Sequence, residues 1–412
     1  MVRARRVGIV GAGPAGIMAA LEAARLGAEV HLFDTNATVG RKLLVTGNGR
    51  CNISNLGAEP ERYTCADAAF LETVLALWGP DEVLARLEEH GILTYATPDG
   101  WCYPLSDSAV TVVDALAAAL EAAGVAVHLQ TKIVDLAPSP PESSGGGLIL
   151  YAGGPNDPRA MDRVVVATGG KAYPALGSRG EFYAVLERLG HTVAPVLPAL
   201  APITAEVGRL HALQGVRLDV RASLEVDGAI LGETVGNLMF TQTGFSGPAA
   251  MDLSHLVSRH PDARATVHVD VLPHHRERLW ALLKARRWDP VPLRVLLGAA
   301  LPAKIATLAV EAVGLTAEAR MADLTWDEIA AAMAWLGDIT ARATGTRGFQ
   351  HAQLSTGGVP VTEVEAETMA SRRVPGLHLA GEVLDVIAPC GGYNLQFAWA
   401  SGALAGAAAV QG

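Results

Sequence analysis

Residues 5–34 read RRVGIVGAGPAGIMAALEAARLGAEVHLFD. Val7, Ile9 and Val10 make a short apolar strand that runs into Gly11-Ala12-Gly13-Pro14-Ala15-Gly16. Ile17, Leu21, Ala24 and Leu26 then recur at helical spacing as far as Gly27, and a second strand over 30–33 ends in Asp34. Strand, glycine turn, helix and acid-terminated strand follow the order of a dinucleotide-binding unit. Gly11 permits the tight turn, Gly13 lets backbone approach a pyrophosphate, and Gly16 lets helix pack close on strand. The helix start, from Pro14 and Ala15, offers free N–H groups and a positive dipole end to phosphates. Asp34 is expected to accept hydrogen bonds from a ribose whose 2′-hydroxyl is free, which disfavours a 2′-phosphorylated dinucleotide.

This unit serves NAD and FAD alike, and the residues after it distinguish the two. After Asp34 and five intervening residues come Gly40, Arg41 and Lys42. That spacing resembles the extended fingerprint of FAD proteins of the glutathione-reductase type. Further on, the apolar run 164–167 ends in Thr168-Gly169-Gly170. It resembles the second signature of two-dinucleotide flavoproteins, in which Ala167, Thr168 and Gly169 pass close to the cofactor; a buried strand and turn is the alternative reading.

The chain has 412 residues, half of them hydrophobic, and a formal net charge of −10. It is long enough for two or three domains, and its acidity argues against a general affinity for nucleic acid. Arg3, Arg5 and Arg6, and the basic stretch 276–287, read as solvated faces. Four cysteines (Cys51, Cys65, Cys102, Cys390) without a CxxC pair suit thiols in a reducing, cytoplasmic setting rather than disulfides or zinc. Glycines interrupt the apolar N-terminal run, and Glu22 and Arg25 follow it, so it does not read as a secretory signal. From Val386 onward no residue is charged. The small Gly, Ala and Ser side chains of that segment suit close internal packing better than a lipid anchor.

Ser108 is expected to cap a helix running to Ala123, and 125–131 reads as the next parallel strand. Two short strands flank the Pro/Ser/Gly loop 138–147. From 216 to 226 apolar and polar residues alternate strictly, Asp227-Gly228 is a hairpin turn, and 265–271 alternates again. After Arg276 the pattern turns helical, with a capping box at Thr325 and Glu328. His274 and His275 read as helix-start residues, not metal ligands, and no metal site is expected. The expected organisation is a cofactor domain over 1–190, a β-rich domain over 191–272, a helical insert over 273–345 that would act as a lid, and the rest of the cofactor domain over 346–412.

Five stretches carry a wider resemblance: TGNGRCNISN (46–55), YPALGSRGEFY (173–183), TQTGFSGPA (241–249), STGGVPVTEVEAETMASRRVPGLHLAGEVLD (355–385) and GGYNLQFAWASGALAG (391–406). Together they resemble a bacterial family of NAD(P)/FAD-dependent oxidoreductases with aminoacetone-oxidase-like and bile-acid-reductase-like members. The resemblance implies an α/β fold: a glutathione-reductase-type, Rossmann-like FAD domain built from both chain ends, with an inserted β-barrel-like domain and a small helical domain. It implies that Gly381 and Glu382 lie at the ribityl chain with Asp385 nearby. Gly391 and Gly392 would pass beneath the flavin, and the helix from Tyr393, Asn394 and Leu395 would aim its N-terminus at the ring. Asn48, Arg50, Cys51, Asn52 and Val134 complete the implied cofactor set, with Arg50 balancing phosphate or reduced-flavin charge. Where the family commonly has an arginine this chain has Trp101, and Cys390 stands at a position commonly threonine or another small residue.

No catalytic acid is singled out. The candidates are Cys390 and Tyr393 near the flavin edge, His351, and Cys51; for Cys390, a proton donor or redox thiol and an inert packing residue are the alternatives. With one GxGxxG and no second such unit, NAD(P)H is expected only as a transient hydride donor. The expected reaction is reduction or dehydrogenation of a small, largely apolar molecule, such as one with a C=C bond conjugated to a carbonyl. The alternatives are a small-amine oxidase using oxygen and a non-enzymatic, regulatory or RNA-associated FAD-binding protein. No nucleic-acid or membrane partner is expected.

Overall fold

The apolar strand before the glycine turn, Arg6–Val10, is the middle of a five-stranded sheet in the computed structural model, which describes residues 3–140, 147–154 and 156–411. It pairs in parallel with Glu29–Phe33 on one side and Arg163–Val166 on the other. Ala126–His128 and Leu377–Leu379 extend the sheet at its two edges, also in parallel. The outermost strand is thus contributed by the last tenth of the chain. All four residues from Val7 to Val10 except Gly8 are apolar because both faces are covered, as parallel sheets require.

The first helix, Pro14–Arg25, starts with proline at its first position and ends before Gly27, whose φ of +87° reverses the chain. Against it lies the C-terminal helix, Tyr393–Gln411, which is buried along most of its length. A Cβ on Gly402 would overlap the Ala15 carbonyl, and one on Gly406 the Ala19 carbonyl. The two helices cross backbone to backbone, so the uncharged tail is uncharged because it is internal. Among the described residues no helix is long and apolar enough to cross a membrane.

The chain forms two compact units, Met1–Leu197 with Gln353–Gly412, and Pro198–Ala352. In the first, besides the parallel sheet, Ile133–Pro138, Leu148–Ala152 and Pro158–Met161 form an antiparallel sheet. Of the loop read at 138–147, residues 141–146 lie outside the described residues. The helix after Ser108 spans Ala109–Ala122, but the serine side chain makes no capping hydrogen bond.

The second unit is built on a closed six-stranded barrel. Around it run Ile203–Ala205, Gly244–Ser246, Ala229–Thr241, Arg217–Val226, Ala265–Asp270 and Ile339–Thr346. Val220, Ala222, Leu224 and Val226 point into its core, as strict alternation dictates. Asp227 and Gly228 both take positive φ in the hairpin. The helices Arg276–Ala285, Ala303–Ala312 and Trp326–Gly337 precede the last barrel strand, and Thr325 and Glu328 form the capping box. Ile339–Thr346, read from sequence as the end of the helical insert, is therefore a barrel strand: its alternate residues Ile339, Ala341 and Ala343 are buried.

Candidate functional site

The glycine turn is assembled by contacts that admit no side chain. A Cβ on Gly16 would overlap the Gly11 carbonyl, and one on Gly11 would overlap the carbonyl of Ala167 at the end of the neighbouring strand. Gly13 differs, since a Cβ there would meet nothing within 4 Å. Its outer side is open, at the start of a helix whose first N–H groups have no intrahelical acceptor. Asp34 closes the turn from the second strand. Its Oδ2 accepts from the Ala12 N–H at 2.7 Å, and its Oδ1 accepts from the N–H of Asn36 at 2.7 Å and from Asn36 Nδ2 at 2.9 Å.

Gly381, with φ +74°, lies against the same helix start, where a Cβ would come 2.9 Å from that of Ala15. Its N–H donates to Ser401 Oγ of the C-terminal helix at 3.0 Å. The next residue, Glu382, is held from both sides. Lys42 Nζ donates to its Oε2 at 2.6 Å, and the N–H and Oγ of Ser355 donate to Oε1 at 2.8 and 3.1 Å. Ser355 Oγ in turn accepts from the N–H groups of Lys171 and Ala172, just after Gly169 and Gly170. Asp385 Oδ1 accepts from Gly357 at 2.7 Å. Sequence reasoning missed Ser355 as a hub, although the Ser-Thr-Gly-Gly stretch, here the strand Leu354–Gly358, was visible.

The start of the C-terminal helix is braced by the 50–55 loop. Gly392, at φ +99°, packs on the Ser54 carbonyl, and Asn55 Nδ2 donates to Gly391 O at 2.8 Å. Ser54 Oγ donates to Gln396 Oε1 at 2.7 Å, Trp399 Nε1 to Ile53 O at 3.1 Å, and Tyr63 OH to Tyr393 O at 2.9 Å. The Asn394 side chain ties back to Ala388 through both its oxygen and its nitrogen. Leu395 packs on the core of this unit. Beside the turn, Asn52 Oδ1 is buried and receives no hydrogen bond. An open glycine turn at a helix start and an orphaned carboxamide oxygen at the other helix start fit a molecule with a diphosphate at one end and an N–H-bearing ring at the other.

Several expected residues stand elsewhere. Arg50 is spent on the surface: it donates to Asp107 at 2.8 Å and Tyr95 at 2.7 Å and lies 4.2 Å over the Tyr103 ring. Its charge faces the Asp107 carboxylate in this structure. Arg41 is exposed and bonds Asn36, and Asn48 is exposed at φ +56°. Val134 is exposed on the strand Ile133–Pro138. His351 belongs to the other unit, where its Nε2 lies 3.0 Å from Arg347 Nη2. Burial pushes the Cys51 thiol up to about 11, against a weaker opposing bond with Thr46, so it stays protonated at neutral pH and is no nucleophile. The four cysteines form no disulfide. Burial likewise raises the Tyr63 hydroxyl, which acts as a fixed donor and not as an acid.

Comparison with known proteins gives three kinds of likeness. The family described as HI0933-like protein Rossmann domain matches residues 5–408. A 3-dehydro-bile acid delta(4,6)-reductase of Clostridium scindens is 33% identical over 98% of this chain and 99% of its own. A ribosomal RNA dihydrouridine synthase of Escherichia coli is 30% identical over 95% of each chain. Among solved structures, a 3-ketosteroid-delta4-(5alpha)-dehydrogenase from Rhodococcus jostii shares the fold, with a TM-score of 0.51 at 16% identity, covering 100% of this chain and 98% of that one.

Proposed function

Since this chain belongs to the HI0933-like Rossmann-domain family of FAD-dependent oxidoreductases, we propose that it reduces a C=C bond conjugated to a carbonyl in a small, largely apolar substrate. The observation that carries the reading is what two relatives' names have in common. A delta(4,6)-reductase of a 3-dehydro bile acid and a dihydrouridine synthase both describe hydrogen added across a C=C bond in line with a ring carbonyl. The bound flavin would supply hydride transfer through N5, and NAD(P)H from solution would restore the hydride.

The chain's own part is binding, orientation and electrostatics. Gly11, Gly13 and Gly16 would let the first helix start approach the diphosphate, with Asp34 at the ribose. Glu382, held by Lys42 and Ser355, and the adjacent Asp385 would face the ribityl chain. Gly391, Gly392 and the N–H groups from Tyr393 to Leu395 would lie at the ring, where the positive helix end stabilises negative charge on the reduced cofactor. No side chain is assigned as proton donor.

The test is anaerobic. The yellow protein is bleached with NADH or NADPH and then mixed with a 3-oxo-Δ4 compound or with oxygen. Reoxidation by the enone with formation of its saturated product is the expected result. Bleaching by small amines, with fast reoxidation by oxygen and stoichiometric peroxide, would replace this reading with an oxidase. A second reading, in which the reduced ring is a uracil within RNA, is favoured by the names of two relatives, the ribosomal RNA dihydrouridine synthases of Escherichia coli and Haemophilus influenzae. The net charge of −10 counts against it, and tight, salt-sensitive retention of RNA on a filter would count for it.

A further inference from the structure

Three short strands, Ser54–Asn55, Trp101–Pro104 and Thr94–Ala96, form a small antiparallel sheet with Trp101–Pro104 in the middle. Trp101 and Tyr103 are two apart, so both project from one face. Tyr95 stands opposite Tyr103, their ring centres 6.0 Å apart, and Arg50 covers Tyr103. Tyr103 is therefore buried, whereas Trp101 remains partly exposed. What Trp101 does touch is the turn that opens the C-terminal helix. A Cβ on Gly391 would lie 3.0 Å from both Cε2 and Nε1 of the indole, and Asn55, opposite Trp101 in register, holds the Gly391 carbonyl. At φ +122° Gly391 is in a region that side chains resist, and a side chain there would meet the indole. The buried, unpartnered Asn52 Oδ1 adjoins the next residue, where a Cβ on Gly392 would come within 2.9 Å of it.

We infer that Trp101 is the platform on which the substrate ring stacks, and hence a specificity-determining residue. The inference rests on the reductase reading above, which puts the flavin ring at this turn and the substrate ring against it. An indole offers dispersion and a quadrupole to any flat ring, with no charge to match. The ligand it selects is a six-membered ring bearing a C=C bond conjugated to a carbonyl, whose sp2 atoms give it a flat face. Such a ring occurs in a free polycyclic enone and in the uracil of an RNA strand.

The experiment uses the oxidised, FAD-loaded protein without reductant. Calorimetric titration with androst-4-ene-3,17-dione and, separately, with a uridine-containing RNA nonamer gives two dissociation constants and tells the two sources apart. Trp101→Ala is expected to weaken whichever probe binds by about tenfold, and Trp101→Phe to recover most of it, with flavin content unchanged. In turnover the loss falls mainly on KM. Trp288→Ala, at a 76% exposed position of the other unit, serves as control and leaves binding unchanged. If the wild type binds a probe and Trp101→Ala binds it within about twofold, Trp101 is not the platform although the reductase reading stands. A wild type that binds neither probe overturns both.

Discussion

His378 is a buried imidazole in the edge strand of the parallel sheet, with Nδ1 2.9 Å from the Thr368 carbonyl. Burial lowers its pKa from 6.5 to about 4, with the nearby Arg163 charge acting in the same direction. An imidazole whose folded pKa is depressed is neutral in the fold while the unfolded chain takes up a proton, so stability is full above about pH 6.5 and declines as pH falls toward 4. The expected loss across that window is about 3 kcal/mol. Urea unfolding of the wild type and His378→Gln at pH 7.5 and 4.5 should show the gap between them shrinking, or reversing, at the lower pH. A gap that does not change with pH would contradict the assignment. The same scale explains what the sequence could not reveal. Arg50 sits in a cofactor-family motif, yet its partners Tyr95 and Asp107 lie 45 and 57 residues away. Motif position identifies a residue type, while its charge is settled by neighbours brought in by the fold.

The C-terminal helix is the element on which the site depends, because it packs on the first helix through glycines and braces the 50–55 loop through Gln396 and Trp399. At Gly402 the atom in the way is the Ala15 carbonyl, which is backbone and has no rotamer to yield. Gly402→Ala should therefore cost about 1–3 kcal/mol by overpacking. It should also weaken FAD retention, since Ala15 belongs to the glycine turn. Gly236→Ala, in the barrel strand Ala229–Thr241 where a Cβ meets nothing, is the control and should do neither. Thermal melts with and without added FAD read both effects, and a Gly402→Ala protein as stable as wild type would refute the close crossing. Elements of this kind were legible where periodicity is strong: the first strand, turn and helix, the alternating hairpin, the capping box. The last barrel strand was not, since it follows a helical run and its buried residues after Ile339 are alanines, which carry little hydrophobic signal.

At the scale of the molecule, the first unit is closed by residues from both ends of the chain. Leu377–Leu379 completes the parallel sheet, Gly381 rests on the first helix, and Lys42 reaches Glu382. The glycine fingerprint and the Gly-Glu and Gly-Gly motifs could be read locally, but their convergence depends on tertiary contacts more than 300 residues apart, such as Lys42 with Glu382. The central claim is that this convergence clamps one FAD between the two helix starts. A crystal structure of the FAD-loaded protein tests it most directly. The account predicts the diphosphate on the N–H groups at Gly13–Gly16 and the flavin ring against Gly391, Gly392 and the start of the last helix. A ring bound away from residues 391–395, or a protein that takes up no FAD at all, would contradict it.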